Sequence, residues 1–158
     1  MRLRTAVTLA RLAPQLVFFR MMKRRISLER LAQWAWKGEP PNGTAIQGNT
    51  GTTGPRAARY ADEEARVIAC VVRLHQLLGG RDDDCVPRSL LLYRELSRLG
   101  ADPRLCVGFK PAEGGVVGHA WVEVAGRAVG EADPVPAGFN KQLVFGEGGR
   151  ERSNGTAI

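Results

Sequence analysis

Histidine is scarce in this chain of 158 residues, which holds only His75 and His119. Cysteine is scarce too, and odd in number: Cys70, Cys85 and Cys106, with no C-x-x-C pair. A disulfide framework and a zinc ribbon or finger are thereby excluded, since both need paired thiols or clustered imidazoles. No metal or cofactor is expected, and three unpaired thiols fit a reducing, cytoplasmic setting. A spanning apolar segment is also missing. The longest uncharged run of the apolar N-terminal part, Leu12 to Phe19, is too short to cross a bilayer. No small-residue cleavage site follows it, as a signal peptide would require. The sequons at Asn42 and Asn154 accordingly lack the secretory context that glycosylation needs.

Acid is absent from residues 1–28, while Arg2, Arg4, Arg11, Arg20, Lys23, Arg24 and Arg25 all lie there. The formal net charge of +7 therefore belongs to this segment, and the rest of the chain is balanced. Three readings compete for it. It is an amphipathic helix, broken at Pro14 and packed through Leu3, Val7, Leu12, Leu16 and Phe19; or a surface for an acidic peptide or protein; or a weak membrane contact. No nucleic acid is expected as a partner, because no base-reading motif accompanies the charge. Residues 38–55 are dominated by Gly, Pro, Thr and Asn and read as a loop. A helix follows over Arg56 to Leu78, with Ala61, Ala65, Ile68, Val72 and Leu74 as its apolar positions.

The chemistry-bearing residues come next. In D-D-D-C-V-P-R-S-L-L-L-Y-R-E-L-S-R-L-G, Leu90, Leu91, Tyr93, Leu96 and Leu99 recur at helical spacing, with Arg88, Arg94, Glu95 and Arg98 largely opposite. Asp84 is placed to cap this helix, Pro87 is tolerable in its first turn, and Gly100 supplies the stop. Cys85 then sits near the first helical position, where the positive end of the dipole favours the thiolate. Asp82, Asp83 and Asp84 oppose that effect unless they are paired. Beyond the helix the period falls to two. Residues 104–110 alternate as a strand with Leu105, Val107 and Phe109 on one face. Gly114-Gly115 is a turn, and Val117 to Val124 is a second strand carrying His119 and, on the same side, Trp121, which shields the imidazole or simply packs. Ala125-Gly126 turns the chain into a third strand, Arg127 to Gly130. A thiol at a helix start and an imidazole on a strand make a nucleophile and its base. Glu131, at the end of the third strand, can orient the ring. Cys70 and Cys106 read as small buried hydrophobes, and His75 as a helix-end residue.

The run C-V-P-R-S-L-L-L-Y-R-E-L-S-R-L-G-A-D-P-R-L-C-V-G-F-K, followed by G-H-A-W-V-E-V-A-G-R-A-V-G-E, resembles the transglutaminase-like leader peptidases of lasso-peptide biosynthesis, the B proteins of those clusters. The resemblance is strong over residues 85 to about 131. It implies an α+β, papain- or transglutaminase-like fold: N-terminal helices, the nucleophile at a helix N-terminus, then a small antiparallel sheet. It implies a Cys-His-Asp-type triad in which Cys85 is the nucleophile and His119 the base. The third position falls on Glu131, with Asp133 as its rival. It implies a peptidase that removes the leader of a precursor peptide, in a split form whose leader-recognition protein is separate and whose product passes to a macrolactam cyclase; a transglutaminase-like thiol acyltransferase and a non-catalytic peptide-binding module are the alternatives. On this reading residues 1–158 are a single domain: a basic helical segment (1–37), a loop (38–55), a catalytic core (56–145) and a flexible tail (146–158).

Overall fold

The computed structural model describes residues 2–37, 55–80, 84–131 and 138–151. Four helices come first: α1 (Arg2–Met22), α2 (Leu28–Ala35), α3 (Pro55–Leu77) and α4 (Cys85–Arg98). Four strands follow: β1 (Pro103–Ala112), β2 (Gly115–Val124), β3 (Arg127–Val129) and β4 (Asn140–Phe145). They form one antiparallel sheet in the order β3-β2-β1-β4.

Helix α4 is the axis of the molecule, packed against α1, α2 and α3 and against β1 and β2. That explains its composition. Leu90, Leu91, Leu92, Tyr93 and Leu96 are all fully buried, so the helix is apolar well beyond one stripe. Each such leucine contributes about 2 kcal/mol of burial. Its end is set by Gly100, whose φ of +80° suits a residue without a Cβ. There the Gly100 N–H donates to Ser97 O and the Ala101 N–H to Leu96 O, closing a Schellman motif. Leu12, Leu16 and Phe19 of α1, Leu31, Ala32 and Ala35 of α2, and Val67, Cys70, Val71 and Leu74 of α3 complete the core with Leu105, Val122 and Phe145 of the sheet.

Several expectations need correction. Pro14 does not break α1, which runs through it. Proline removes one N–H, and tertiary packing of Leu12, Leu16 and Phe19 carries the helix past it. Val7 is 63% exposed, not packed. On α3, Ala61 and Ala65 face solvent, whereas Leu74 is buried and Ile68 packs on the core as expected, joined by Val67, Cys70 and Val71. Arg88 and Glu95 are not solvent residues. Glu95 is buried, with its carboxylate paired to Arg11 (2.5 Å) and Arg98 (3.2 Å). Phe109 is exposed although Leu105 and Val107 on the same strand are buried. The sheet has a fourth strand, β4, pairing β1 on the side away from β2.

The first part of the expected flexible tail is also structured. Residues Glu147–Gly149 form a 3-10 turn against α2, and the Tyr93 hydroxyl donates to Gly146 O. Gly149 is buried at φ +67°, where a Cβ would lie 2.4 Å from the Gln33 backbone. A glycine-rich run here reflects close backbone approach rather than fraying. The remainder of that tail, most of the 38–55 loop, Asp82, Asp83 and Asp133 lie outside the described residues.

Candidate active site

Two elements converge on one sulfur. Cys85 opens α4, and its thiol packs with Val107 of β1 and Ala120 of β2. The helix is pinned to the sheet by Ser89, whose buried hydroxyl donates to Ala120 O at 2.8 Å. The Ala120 N–H reaches the Cys85 sulfur, as does the Val86 N–H of the helix's own first turn. The residue next to Ala120 is His119, and its ring hydrogen-bonds Cys85. His119 Nε2 lies 3.2 Å from Glu131 Oε2, which leaves Nδ1 for the sulfur. Glu131 is held on its other oxygen by Arg88, one turn along α4 from the thiol. The structure thus brings Cys85, His119 and Glu131 into one hydrogen-bonded line. The rival Asp133 lies outside the described residues.

The electrostatics of this line favour charge separation. Burial pushes the Cys85 thiol up, but the hydrogen bond from His119, the Ala120 N–H and the imidazolium charge outweigh it, and the pKa is lowered. His119 is raised to about 9 by its hydrogen bonds to Cys85 and then Glu131, against the opposing effect of burial. Glu131 is held below the usual carboxylate range: burial opposes this, and His119 and Arg88 overcome it. Both shifts favour the thiolate–imidazolium form of the pair over the neutral one.

The acidic residue beside the thiol is neutralised from the end of α1 and the turn that follows it. Asp84 precedes Cys85, but its side chain does not cap the helix, contrary to expectation. Its carboxylate turns instead to Lys23 Nζ at 2.5 Å and Arg20 Nη2 at 3.2 Å. Arg20 also donates to Leu78 O at 2.8 Å. Two tertiary ion pairs outbid the local bonds of a cap, and they hold the Asp84 pKa low despite burial. Part of the basic N-terminal segment is therefore scaffold: Arg11, Arg20 and Lys23 all bind carboxylates within the fold.

The imidazole is also buttressed on the sheet. The Trp121 ring lies nearly parallel to it (centroids 6.1 Å, 14°), and Phe139 leans on it at 5.5 Å. Trp121 is 1% exposed and is fixed by Nε1–H donation to Glu123 Oε1 at 3.0 Å. Lys141 of β4 holds Glu123 at 2.7 Å. Trp121 therefore both packs and covers the ring.

The other cysteines are placed differently. Cys70 is buried in the helical core, and burial raises its pKa. Cys106 is buried beside Trp121 and Val144, and burial and then Glu123 push it up to about 12. His75 lies half-buried in the last turn of α3, near enough to Asp84 for its charge to act on that carboxylate. Among the described residues, no group of three or more His, Cys, Asp or Glu side chains could hold a metal ion.

Sequence reasoning missed three parts of the site. Arg88 carried a local signal, since Cys85 and Arg88 are i and i+3 on one helix face. The Lys23–Asp84–Arg20 cluster and the Ala120 N–H carried none, because both depend on tertiary approach.

A family model described as the transglutaminase-like superfamily matches residues 16–144. The match runs from the middle of α1 to the end of β4 and includes every residue of the site. No curated protein and no solved structure matches the chain significantly.

Proposed function

We propose, for a chain that belongs to the transglutaminase-like superfamily, that it is a cysteine peptidase which removes the leader from a lasso-peptide precursor. The superfamily is typically built on a reactive cysteine. The observation that carries the reading is the hydrogen-bonded line from the helix-start thiol of Cys85 through His119 to Glu131.

The chemistry follows from the charges. The Cys85 thiolate attacks the carbonyl carbon joining leader to core. The tetrahedral oxyanion forms beside the start of α4, where the Cys85 N–H and the helix dipole are the natural stabilisers. The His119 imidazolium gives its proton to the departing core amine as the C–N bond breaks. The leader is left as a thioester on Cys85. His119, now neutral, takes a proton from water as the water attacks the thioester, and the thiolate leaves. Glu131 keeps the ring in the required tautomer and stabilises its charged form, and Arg88 fixes the carboxylate. The freed core amine suits a separate cyclase that closes a macrolactam, and a separate leader-recognition protein would deliver the substrate.

The superfamily match supports equally a second reading in which an amine, not water, receives the acyl group. The deciding experiment incubates the protein with a candidate precursor and its leader-binding partner and weighs the products. A free leader carboxylate and free core amine support the peptidase, and a new amide on the leader supports acyl transfer. Cleavage that persists in Cys85→Ala protein contradicts both.

A further inference from the structure

Helix α1 is unusual on its outer side. Between Ala6 and Met21 the exposed residues are Ala6, Val7, Ala10, Arg11, Pro14, Val17, Phe18 and Met21. All but Arg11 are apolar. At about 100° per residue they fall within an arc of about 140°, opposite Leu12, Leu16 and Phe19. A helix packed on a core through one side ordinarily turns polar residues to water on the other. Here Val7 is 63% exposed, Met21 59% and Val17 45%. The stripe runs about 22 Å along the helix. It continues onto α2, because Phe18 stacks with the exposed Trp34 at 4.7 Å.

The rim of the stripe is cationic. Arg24 and Arg25 are exposed at its C-terminal end. Arg94 and Lys37 lie over the Trp34 ring, at 4.7 Å and 5.7 Å. No acidic residue occurs before Glu29. Exposed apolar stripes of this extent mark interaction sites. A second copy of the chain would bring like charges together, which disfavours self-association. The surface is a convex ridge of side chains, not a groove shaped for a partner helix. Aromatic and aliphatic groups along a ridge, with arginine and lysine beside them, match an interfacial helix on anionic lipid.

We propose that α1 and Trp34 dock the protein on an anionic lipid surface. Val17, Phe18, Met21 and Trp34 enter the headgroup and acyl boundary, and Arg24, Arg25 and Lys37 meet phosphates. No described helix is long and apolar enough to cross a membrane, so the helix lies in the interface. This contact is independent of the peptidase reading.

The test is co-sedimentation of the full chain with phosphatidylcholine vesicles made with and without phosphatidylglycerol. Binding is expected only to the anionic vesicles and is weakened at high salt. Arg24→Gln with Arg25→Gln should weaken it roughly fivefold per charge. Val17→Ser with Met21→Ser should weaken it at least as much, while thermal unfolding is unchanged because both positions are exposed. Folded protein that stays in the supernatant with anionic vesicles at low salt overturns the proposal. So does binding indifferent to the serine substitutions, which would be charge attraction alone. If the same substitutions impair binding to an acidic protein while vesicles are not bound, the stripe is a protein interface and the lipid assignment fails.

Discussion

Replacing Glu131 by Gln tests the site where its parts depend on one another most. The carboxylate contacts His119 Nε2 at 3.2 Å and is held by Arg88. Glutamine keeps the shape and removes the charge. A hydrogen bond between charged groups contributes about 1.5–3 kcal/mol, which corresponds to a His119 pKa lower by about 1–2 units. Starting from about 9, the imidazole would then titrate near neutrality, and the thiolate–imidazolium pair would lose population at pH 7. Loss of the orienting bond adds to this, so kcat/KM for leader cleavage should fall about a hundredfold or more. The assay pairs initial rates by mass spectrometry with the His119 ring resonance in a pH titration by NMR. The structural cost is small if thermal unfolding moves little. A folded Glu131→Gln protein with unchanged rate and unchanged His119 titration refutes the reasoning. If Asp133→Asn produces the loss instead, the orienting carboxylate is Asp133.

The ion pairs to Asp84 make a second prediction. Lys23→Met leaves a carboxylate less compensated beside the thiol, so the Cys85 alkylation pKa should rise by about half a unit to one unit, and Asp84→Asn in the same chain should bring it back. The His119 shift sets the alkaline limit of activity. A base raised to about 9 stays protonated below that pH, so kcat/KM should fall as pH rises through about 9, and a limit near 6.5 would contradict the ion pair. Asp84, Glu123 and Glu131 all have lowered pKa values in the fold. Their contribution to stability is present above the usual carboxylate range and is lost as pH falls below it, which urea unfolding at pH 3 against pH 6 would reveal. Gly149→Ala should destabilise by about 3 kcal/mol or more, since it combines a positive φ with a Cβ against the Gln33 backbone; unchanged thermal unfolding would show that the 3-10 turn does not pack as described.

Much of the site was legible in the sequence because it is written in local signals. Cys85 is placed by the helix start, marked by Pro87 behind it and Gly100 at the far end. His119 is placed by period-two alternation, and Glu131 by the turn at Ala125 and Gly126, whose positive φ values close a tight hairpin. What was hidden depends on approach between distant segments. Strand β4 has short, mixed residues, and its buried Val144 and Phe145 make sense only once β1 lies beside them. Glu95 looks like a solvent residue until Arg11, far off in sequence, is folded onto it. On α3 Leu74 and Ile68 lie on the core side as their spacing implies, but Ala61 and Ala65 do not, because alanine marks either face equally well. The glycine run after Phe145 reads as flexible from composition, whereas Gly149 is there for close packing.

The central claim is that Cys85, alone of the three thiols, is a thiolate paired with His119 at neutral pH. The most direct measurement is the rate of iodoacetamide alkylation at each cysteine, mapped by mass spectrometry across pH, in the native protein and in His119→Ala. Fast modification of Cys85 persisting well below the ordinary thiol range is expected, with Cys70 and Cys106 protected by burial and Cys85 slowed in His119→Ala. A Cys85 that reacts no faster than an ordinary thiol at neutral pH, or that keeps its profile without His119, contradicts the account.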